Sequence, residues 1–374
     1  MIAAFLRPLA ILALVASSAV AAEPIKIGHY GSLTGKDAAF GVATRKGVLL
    51  AVEEINAKGG VLGRPLEYLV EDIQSKPGES ATAVKKLISR DKVVAVIGAN
   101  ASANSLEAGP VCQNAKIPMM AISSTNPRVT EVGDYIFRIC FIDPFQGAVL
   151  AKFAHDSLHA KRIALLTAVN SPYSVGLSGV LRQDFTARGG EIVAEQKYNE
   201  GDKDFRAQLT AIRTTKPDVI AATGFYTEAA LICKQARDLG LTVPVIGGDG
   251  WEAPQLIELG GKAVEGTYYS TYFSAENDAP EVRSFVDRYR KRWNNEVPEA
   301  VSALGYDAMY LIAAAMEKCG TTESAKLRDA MAATKNFPGV TGRTTIDEKR
   351  NSAKAAVMLA VKNGRAGFFE SVTP

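Results

Sequence analysis

The chain has 374 residues, with 43 Lys and Arg against 40 Asp and Glu, three His and four Cys, for a formal charge of +3. The charges are spread without long like-sign blocks, which argues against a nucleic-acid or anionic-membrane partner. Cys112, Cys140, Cys233 and Cys319 form no CxxC pair, so neither a zinc site nor a thioredoxin-type redox motif is indicated, and no cofactor is expected.

In chain order, residues 1–22 hold one basic residue, Arg7, an apolar run from Leu9 to Val15 and small residues ending at Ala22, the pattern of a cleavable secretory signal cut near Ala21 or Ala22. No stretch reaches the roughly 18 uninterrupted apolar residues of a membrane span. The first cysteine, Cys112, is too far downstream for a lipoprotein anchor. A freely diffusing periplasmic protein is therefore expected. The remaining ~350 residues exceed one compact core, and two domains of roughly 100–200 residues are the default.

IKIGHYGSLTG reads as a strand and its loop, and a helix is predicted from about Phe40 to Ala57, ended by Gly59-Gly60. PLEYLVED, VVAVIGAN and IPMMAISS then read as strands alternating with the helices SATAVKKLISRD and SANSLEAGPVCQNA. Such alternation means βαβ units and a parallel sheet. YIFRICFIDPFQG is an extended run with Pro144 opening a new helix, and a first crossing between lobes is placed near Ile142. The pattern restarts at KRIALLTAVN and runs through EIVAEQKY, DVIAATGF and VPVIGGDG as a second copy of the architecture. A second crossing follows GTYYSTYFS near Tyr272, and the helical segments PEVRSFVDRYRKRW and AVSALGYDAMYLIAAAMEKC return to cover the first sheet. The final stretch from GRTTIDEKR reads as a return to the second lobe. The expected fold is α/β, two doubly wound parallel-sheet lobes joined by a three-segment hinge: 23–142 with 272–345, and 143–271 with 346–374.

These residues resemble the type I periplasmic binding proteins, most closely the leucine/isoleucine/valine-binding branch of ABC-importer receptors, across essentially the whole chain after residue 22. The carrying segments are IKIGHYGSLTGKDAAFG, AVEEINAKGGVLGRPLE, VVAVIGANASANS, IPMMAISSTNP, YIFRICFIDPFQG, PDVIAATGFYTEA and VPVIGGDGW. The resemblance implies a monomeric periplasmic receptor that closes on an amino acid and delivers it to membrane permease and ATPase subunits. It departs from well-known members in having Ala101 where a first-lobe disulfide cysteine is expected. Cys112 and Cys140 are open to two readings, a bridge or buried free thiols.

In a parallel sheet, ligands bind beyond the carboxyl ends of the strands. Ser102 follows VVAVIGAN at a helix start, and Ser124 and Thr125 follow AIS at another; hydroxyls with unpaired helix N–H groups suit a carboxylate. Ordinary helix capping would place Ser and Thr there as well. The resemblance assigns Ser102 and Thr125 to the ligand carboxylate and the main-chain carbonyl of Ser123 to its ammonium. Asp249 follows the strand VPVIG between glycines, either as a turn residue or as partner of an ammonium, and the resemblance favours the second. Tyr173, Phe225 and Phe40 match aromatic wall positions, though each fits a core equally well. Counting Trp251, this aromatic set is heavy for a small aliphatic side chain, which keeps a short amide, urea or an aromatic acid as alternative ligands. The directions of Tyr226 and Glu228 are not set by the sequence.

A doubly wound chain of this size also fits an enzyme, but there is no GxSxG, P-loop or GxGxxG after a strand, and Ser102 has no histidine partner beyond the distant His29. HDSLH spaces His155 and His159 as one helical turn but lacks the Glu of a metalloprotease, and reads as a solvated helix face. A ligand-sensing module is the remaining rival, and such proteins usually carry a membrane span or an added domain.

Overall fold

The computed structural model describes residues 22–373, so the secretory-signal reading lies outside the described residues. Its first half is β1 (Ile25–Gly31), α1 (Ala38–Ala57), β2 (Leu66–Asp72), α2 (Glu79–Ser89), β3 (Ala95–Ile97), α3 (Ser102–Ala115), β4 (Met119–Ala121), α4 (Arg128–Glu131) and β5 (Ile136–Arg138). The five strands form one sheet in the order β2-β1-β3-β4-β5, every pair parallel. β3, β4 and β5 are buried at every residue, as strands covered on both faces by helices must be.

The pattern then repeats as α5 (Asp143–Lys152), β6 (Arg162–Ala168), α6 (Pro172–Ala187), β7 (Glu191–Tyr198), α7 (Arg206–Thr215), β8 (Val219–Ala222), α8 (Tyr226–Asp238), β9 (Val245–Gly247), α9 (Pro254–Gly260) and β10 (Tyr268–Thr271). The order β7-β6-β8-β9-β10 reproduces that of the first sheet, so the second copy read from the sequence is present strand for strand. In both sheets the order reverses beside the first strand, creating the crevice in which such folds bind ligands.

The remaining elements are α10 (Pro280–Arg292), α11 (Ala300–Cys319), α12 (Ser324–Ala332), a small hairpin of β11 (Phe337–Gly339) and β12 (Gly342–Thr344), then β13 (Ala356–Lys362) and β14 (Arg365–Val372). α11 is buried along most of its length and packs on α1 of the first half. A Cβ at Gly47 would lie 1.8 Å from the Ser302 carbonyl oxygen, so only glycine permits this approach of the two helices. β13 and β14 extend the second sheet beyond β10 as antiparallel strands. Asn363 and Gly364 both have positive φ, the conformation a two-residue hairpin requires, which explains this departure from an all-parallel sheet.

Before reaching β13 the chain still lies against the first sheet. The Arg350 carbonyl accepts the Arg138 N–H, Asn351 Oδ1 accepts the Thr130 hydroxyl, and Lys354 Nζ reaches Thr341 and Thr344 above buried Asp307. All four cysteines are free thiols, Cys112, Cys140 and Cys233 fully buried; of the two readings for Cys112 and Cys140, the structure takes the unbridged one. His155 sits in a wide turn at residues 153–157 that ends α5, and His159 falls beyond it with φ 54°, so the two do not share a helix face.

Candidate functional site

Two loops of the first sheet meet three of the second at the crevice. After β3, residues 98–101 lead into α3, with Ala101 in extended geometry at the cap position and Ser102 as the first helical residue. Ser102 is therefore not the helix cap; its Oγ accepts the Asn126 N–H at 3.2 Å, tying the β3 loop to the β4 loop. The N–H groups that open α3 have no acceptor within the helix.

The loop after β4, residues 122–127, is shaped by Arg138 on β5. Its buried guanidinium donates to the carbonyls of Ser124 (2.6 Å), Asn126 (2.8 Å) and Pro127 (3.2 Å), and burial lowers its pKa from the usual arginine range. This turns Ser123 outward and Ser124 inward. Ser123 Oγ contacts the Asn100 side chain at 3.2 Å at the crevice wall, whereas the Ser124 hydroxyl is held by Ser105, Ala99 and Asn100. Thr125 is fully buried with no hydrogen-bond partner for its hydroxyl, and its carbonyl accepts the Asp143 N–H at 2.9 Å. Asp143 is itself buried, and burial pushes its pKa up to about 8 against the Thr125 hydroxyl beside it, with the charge of Asp249 adding to the rise.

On the opposite side, Asp249 opens a short 3-10 turn after β9 and is 7% exposed. Its Oδ1 accepts from Gln146 Nε2 at 2.8 Å and its Oδ2 from the Tyr272 hydroxyl at 2.6 Å. Burial raises its pKa, and these donors oppose the rise. Tyr173, near the start of α6, accepts the Gly250 N–H at 3.1 Å and stacks on Phe225 with centroids 5.3 Å apart. Phe40 meets Phe225 edge-on at 6.0 Å.

The cavity between these walls is lined by Phe40, Asn100, Ala101, Ser102 and Ser123 from the first half and by Tyr173, Phe225, Asp249 and Gly250 from the second. Its volume is ≈ 250 Å³ and Phe40 meets Phe225 across it, so the walls are closed against one another. Of the residues singled out from sequence, Phe40, Ser102, Ser123, Tyr173, Phe225 and Asp249 converge here, while Ser124 and Thr125 do not line the cavity. Trp251 does not line it either: its ring is buried under β9 with Nε1 donating to the Ala222 carbonyl, which lightens the aromatic set. Sequence reasoning missed Asn100, legible as the last polar residue before the α3 loop. It also missed Gln146 and Tyr272, which no local pattern marks.

A larger, more open groove of ≈ 1600 Å³ lies at the far end of α1, against α10, α11 and the β11–β12 hairpin. Within it Glu54 accepts from Arg288, Tyr306 and Tyr310. No group of three or more His, Cys, Asp or Glu among the described residues is placed to hold a metal ion, and no helix among them is long and apolar enough to cross a membrane.

The family model described as periplasmic binding protein matches residues 24–366. The chain belongs to the periplasmic binding proteins. Among solved structures, this periplasmic binding protein is similar to the leucine binding protein LivK of Thermotoga maritima, with 40% identity and a TM-score of 0.90 over 94% of this chain and 99% of that one. It is also similar to the branched-chain amino acid transporter substrate binding protein LivJ of Streptococcus pneumoniae, in complex with isoleucine, with 35% identity and a TM-score of 0.90 over 94% and 100% of the two chains. A leucine-, isoleucine-, valine-, threonine- and alanine-binding protein of Pseudomonas aeruginosa is 30% identical over 89% of this chain and 88% of its own length. The type I resemblance drawn from the sequence, and the α/β fold it implied, therefore stand.

Proposed function

We propose that this chain is the periplasmic receptor of an ABC importer and captures a branched-chain or similarly apolar L-amino acid between two closing lobes. The observation that carries the reading is the opposition of Asp249 on one wall to Ser102 and the opening N–H groups of α3 on the other, with aromatic rings between them. An anion site and a cation site separated by an apolar wall match a zwitterion with an apolar side chain. In this reading Ser102 and the α3 N–H groups take the carboxylate, while Thr125, buried behind the cavity wall beside Asp143, is left out. Asp249 and the Ser123 carbonyl take the ammonium, and Phe40, Tyr173 and Phe225 enclose the side chain. Ser124 is left out, because its hydroxyl is bonded within the protein.

The lobes are 23–142 with 272–345 and 143–271 with 346–374, the third passage running through residues 346–355. Closing completes the ligand's bonds, so binding shifts the population toward the closed form, which the permease and ATPase subunits would read. In this reading the receptor is monomeric and non-catalytic; among the described residues Ser102 has no histidine partner, its Oγ accepting the Asn126 N–H while His29 is bonded to Tyr68. The aromatic lining supports a second reading, an aromatic acid, but burying Asp249 against a ligand without an ammonium would leave an unpaired charge.

A thermal-shift screen of the protein, refolded to strip carried-over ligand, tests this against leucine, isoleucine, valine, phenylalanine, benzoate, urea and short amides. At 100 times its dissociation constant a ligand stabilises the folded state by about 2.7 kcal/mol. Shifts confined to apolar amino acids support the reading; shifts only with benzoate, urea or amides overturn it.

A further inference from the structure

We propose that Lys36, Glu200 and Tyr226 form a clasp across the rim of the cavity, which holds the lobes closed over a bound molecule without touching it. The inference rests on the two-lobe receptor reading but not on which ligand is bound. Lys36 lies in the loop between β1 and α1, Glu200 follows β7 and Tyr226 opens α8, so the three come from opposite sheets. Lys36 Nζ pairs with Glu200 Oε2 at 2.6 Å, and the Tyr226 hydroxyl donates to the Lys36 carbonyl at 2.5 Å. The Lys36 loop is thereby gripped at both side chain and main chain from the facing lobe.

None of the three lines the cavity; they sit on the outer sides of the residues that do. The Tyr226 ring packs edge-on against Phe40 at 5.1 Å, and Lys36 Nζ lies 5.8 Å from the Phe225 ring centroid. The Lys36 side chain is 38% exposed and that of Glu200 18%, so the pair is at the rim and only partly screened by water. Burial works against the Lys36 ammonium, but Asp37 and Glu200 outweigh it and raise its pKa, keeping the clasp charged.

Separating the lobes breaks both contacts. Interactions made only in the closed form raise the closed fraction, and apparent affinity scales with that fraction. Because the clasp does not touch the ligand, it strengthens every ligand by the same factor, acting on the rate of release. A residue of the cavity wall would instead change the ratio between ligands.

The test compares the wild type with a Lys36→Gln/Tyr226→Phe double variant. Leucine, isoleucine and valine affinities are measured by calorimetry and release by stopped flow. Interlobe energy transfer is read from dyes on Lys85→Cys and Gln183→Cys, both exposed, in a Cys319→Ser background. Losing one charged and one neutral hydrogen bond of this exposure is expected to weaken all three amino acids roughly fivefold to twentyfold, in equal ratio and through faster release. The closed fraction should fall. A change in the leucine-to-valine ratio, or unchanged affinity, overturns the clasp. If none of the three amino acids binds the wild type, the amino-acid reading fails and energy transfer decides alone: a lower closed fraction in the variant supports the clasp, and an unchanged one overturns it.

Discussion

Asp249→Asn separates the function proposed for this carboxylate from its place in the fold. The carboxylate is 7% exposed and accepts from Gln146 and Tyr272, so a ligand ammonium beside it forms a nearly fully desolvated pair. Removing one member of such a pair costs roughly 2–5 kcal/mol, or about 30-fold to several-thousand-fold in dissociation constant. Folding should not suffer in proportion. Asn keeps the volume, its Oδ1 can go on accepting from Gln146, and the Tyr272 hydroxyl can rotate to accept from Nδ2. Burial raises the pKa of Asp249, so the wild-type anion forms against desolvation, and deleting the charge removes that penalty. The expected result is a leucine affinity lost by calorimetry with a thermal midpoint held or raised. An Asn protein that binds leucine within about threefold of wild type, at the scale of a neutral hydrogen bond, would refute the ammonium assignment.

Asp143→Asn should alter the pH dependence of stability. The folded-state pKa of Asp143 is raised to about 8, so the folded protein keeps a proton that the unfolded chain has lost. Stability therefore falls as pH rises from about 4 to about 8 and levels above, and thermal melts across that range should show a shallower fall in the variant. Arg138→Met leaves the Ser124, Asn126 and Pro127 carbonyls without their donor. A denaturant midpoint reporting a loss of roughly 3–5 kcal/mol is expected, with no thermal shift on adding leucine. Ser102→Ala removes the acceptor of the Asn126 N–H as well as the proposed ligand hydroxyl. Leucine binding measured by calorimetry should weaken by roughly 1–3 kcal/mol, against about 1 kcal/mol of stability.

The alternation of the two halves was legible because most strands are short runs rich in apolar residues and helices such as α2, α7 and α8 between them carry an amphipathic stripe. The elements that escaped were the short helices α4 and α9, α12, the β11–β12 hairpin, and the division of the last stretch into β13 and β14; α4 and α9 are too short for a periodicity to show, and α12 and the small hairpin are largely half-exposed. At the site, strand-end loops pointed to Ser102, Tyr173, Phe225 and Asp249, since position after a strand is a local property. Direction within a loop is not. Ser123 and Ser124 are neighbours of one residue type, and only Arg138, from the next strand, decides which of them faces the cavity. Trp251, two residues after Asp249, is turned away by a 3-10 turn that the glycines alone did not announce. Gln146 and Tyr272 meet Asp249 through the chain's passages between the sheets, a relation over 103 and 23 residues that no window captures.

Those passages give the site its mechanical sense. Gln146 lies just after the chain leaves the first sheet and also donates to Ser270 on β10, while Tyr272 lies where the chain leaves the second. Three residues beyond Asp249, half-buried Glu252 accepts from Thr271 and from the Ala300 N–H that opens α11, the helix packed on the first half. The turn from Asp249 to Glu252 thus holds both passages and the start of the returning helix. Under the proposed lobe division the Gln146 and Thr271 bonds lie within one lobe, whereas the Tyr272 hydroxyl and the Ala300 N–H come from the other, so moving the lobes apart strains the bonds of these two to Asp249 and Glu252. Under the proposed function, a ligand ammonium at Asp249 would stabilise the arrangement in which the carboxylate keeps Gln146 and Tyr272, and in a buried network each such bond is stronger than its counterpart in water. Charge recognition and closure would then both act through this one hydrogen-bonded turn, and a ligand lacking an ammonium would fill the aromatic pocket yet leave the turn unbiased.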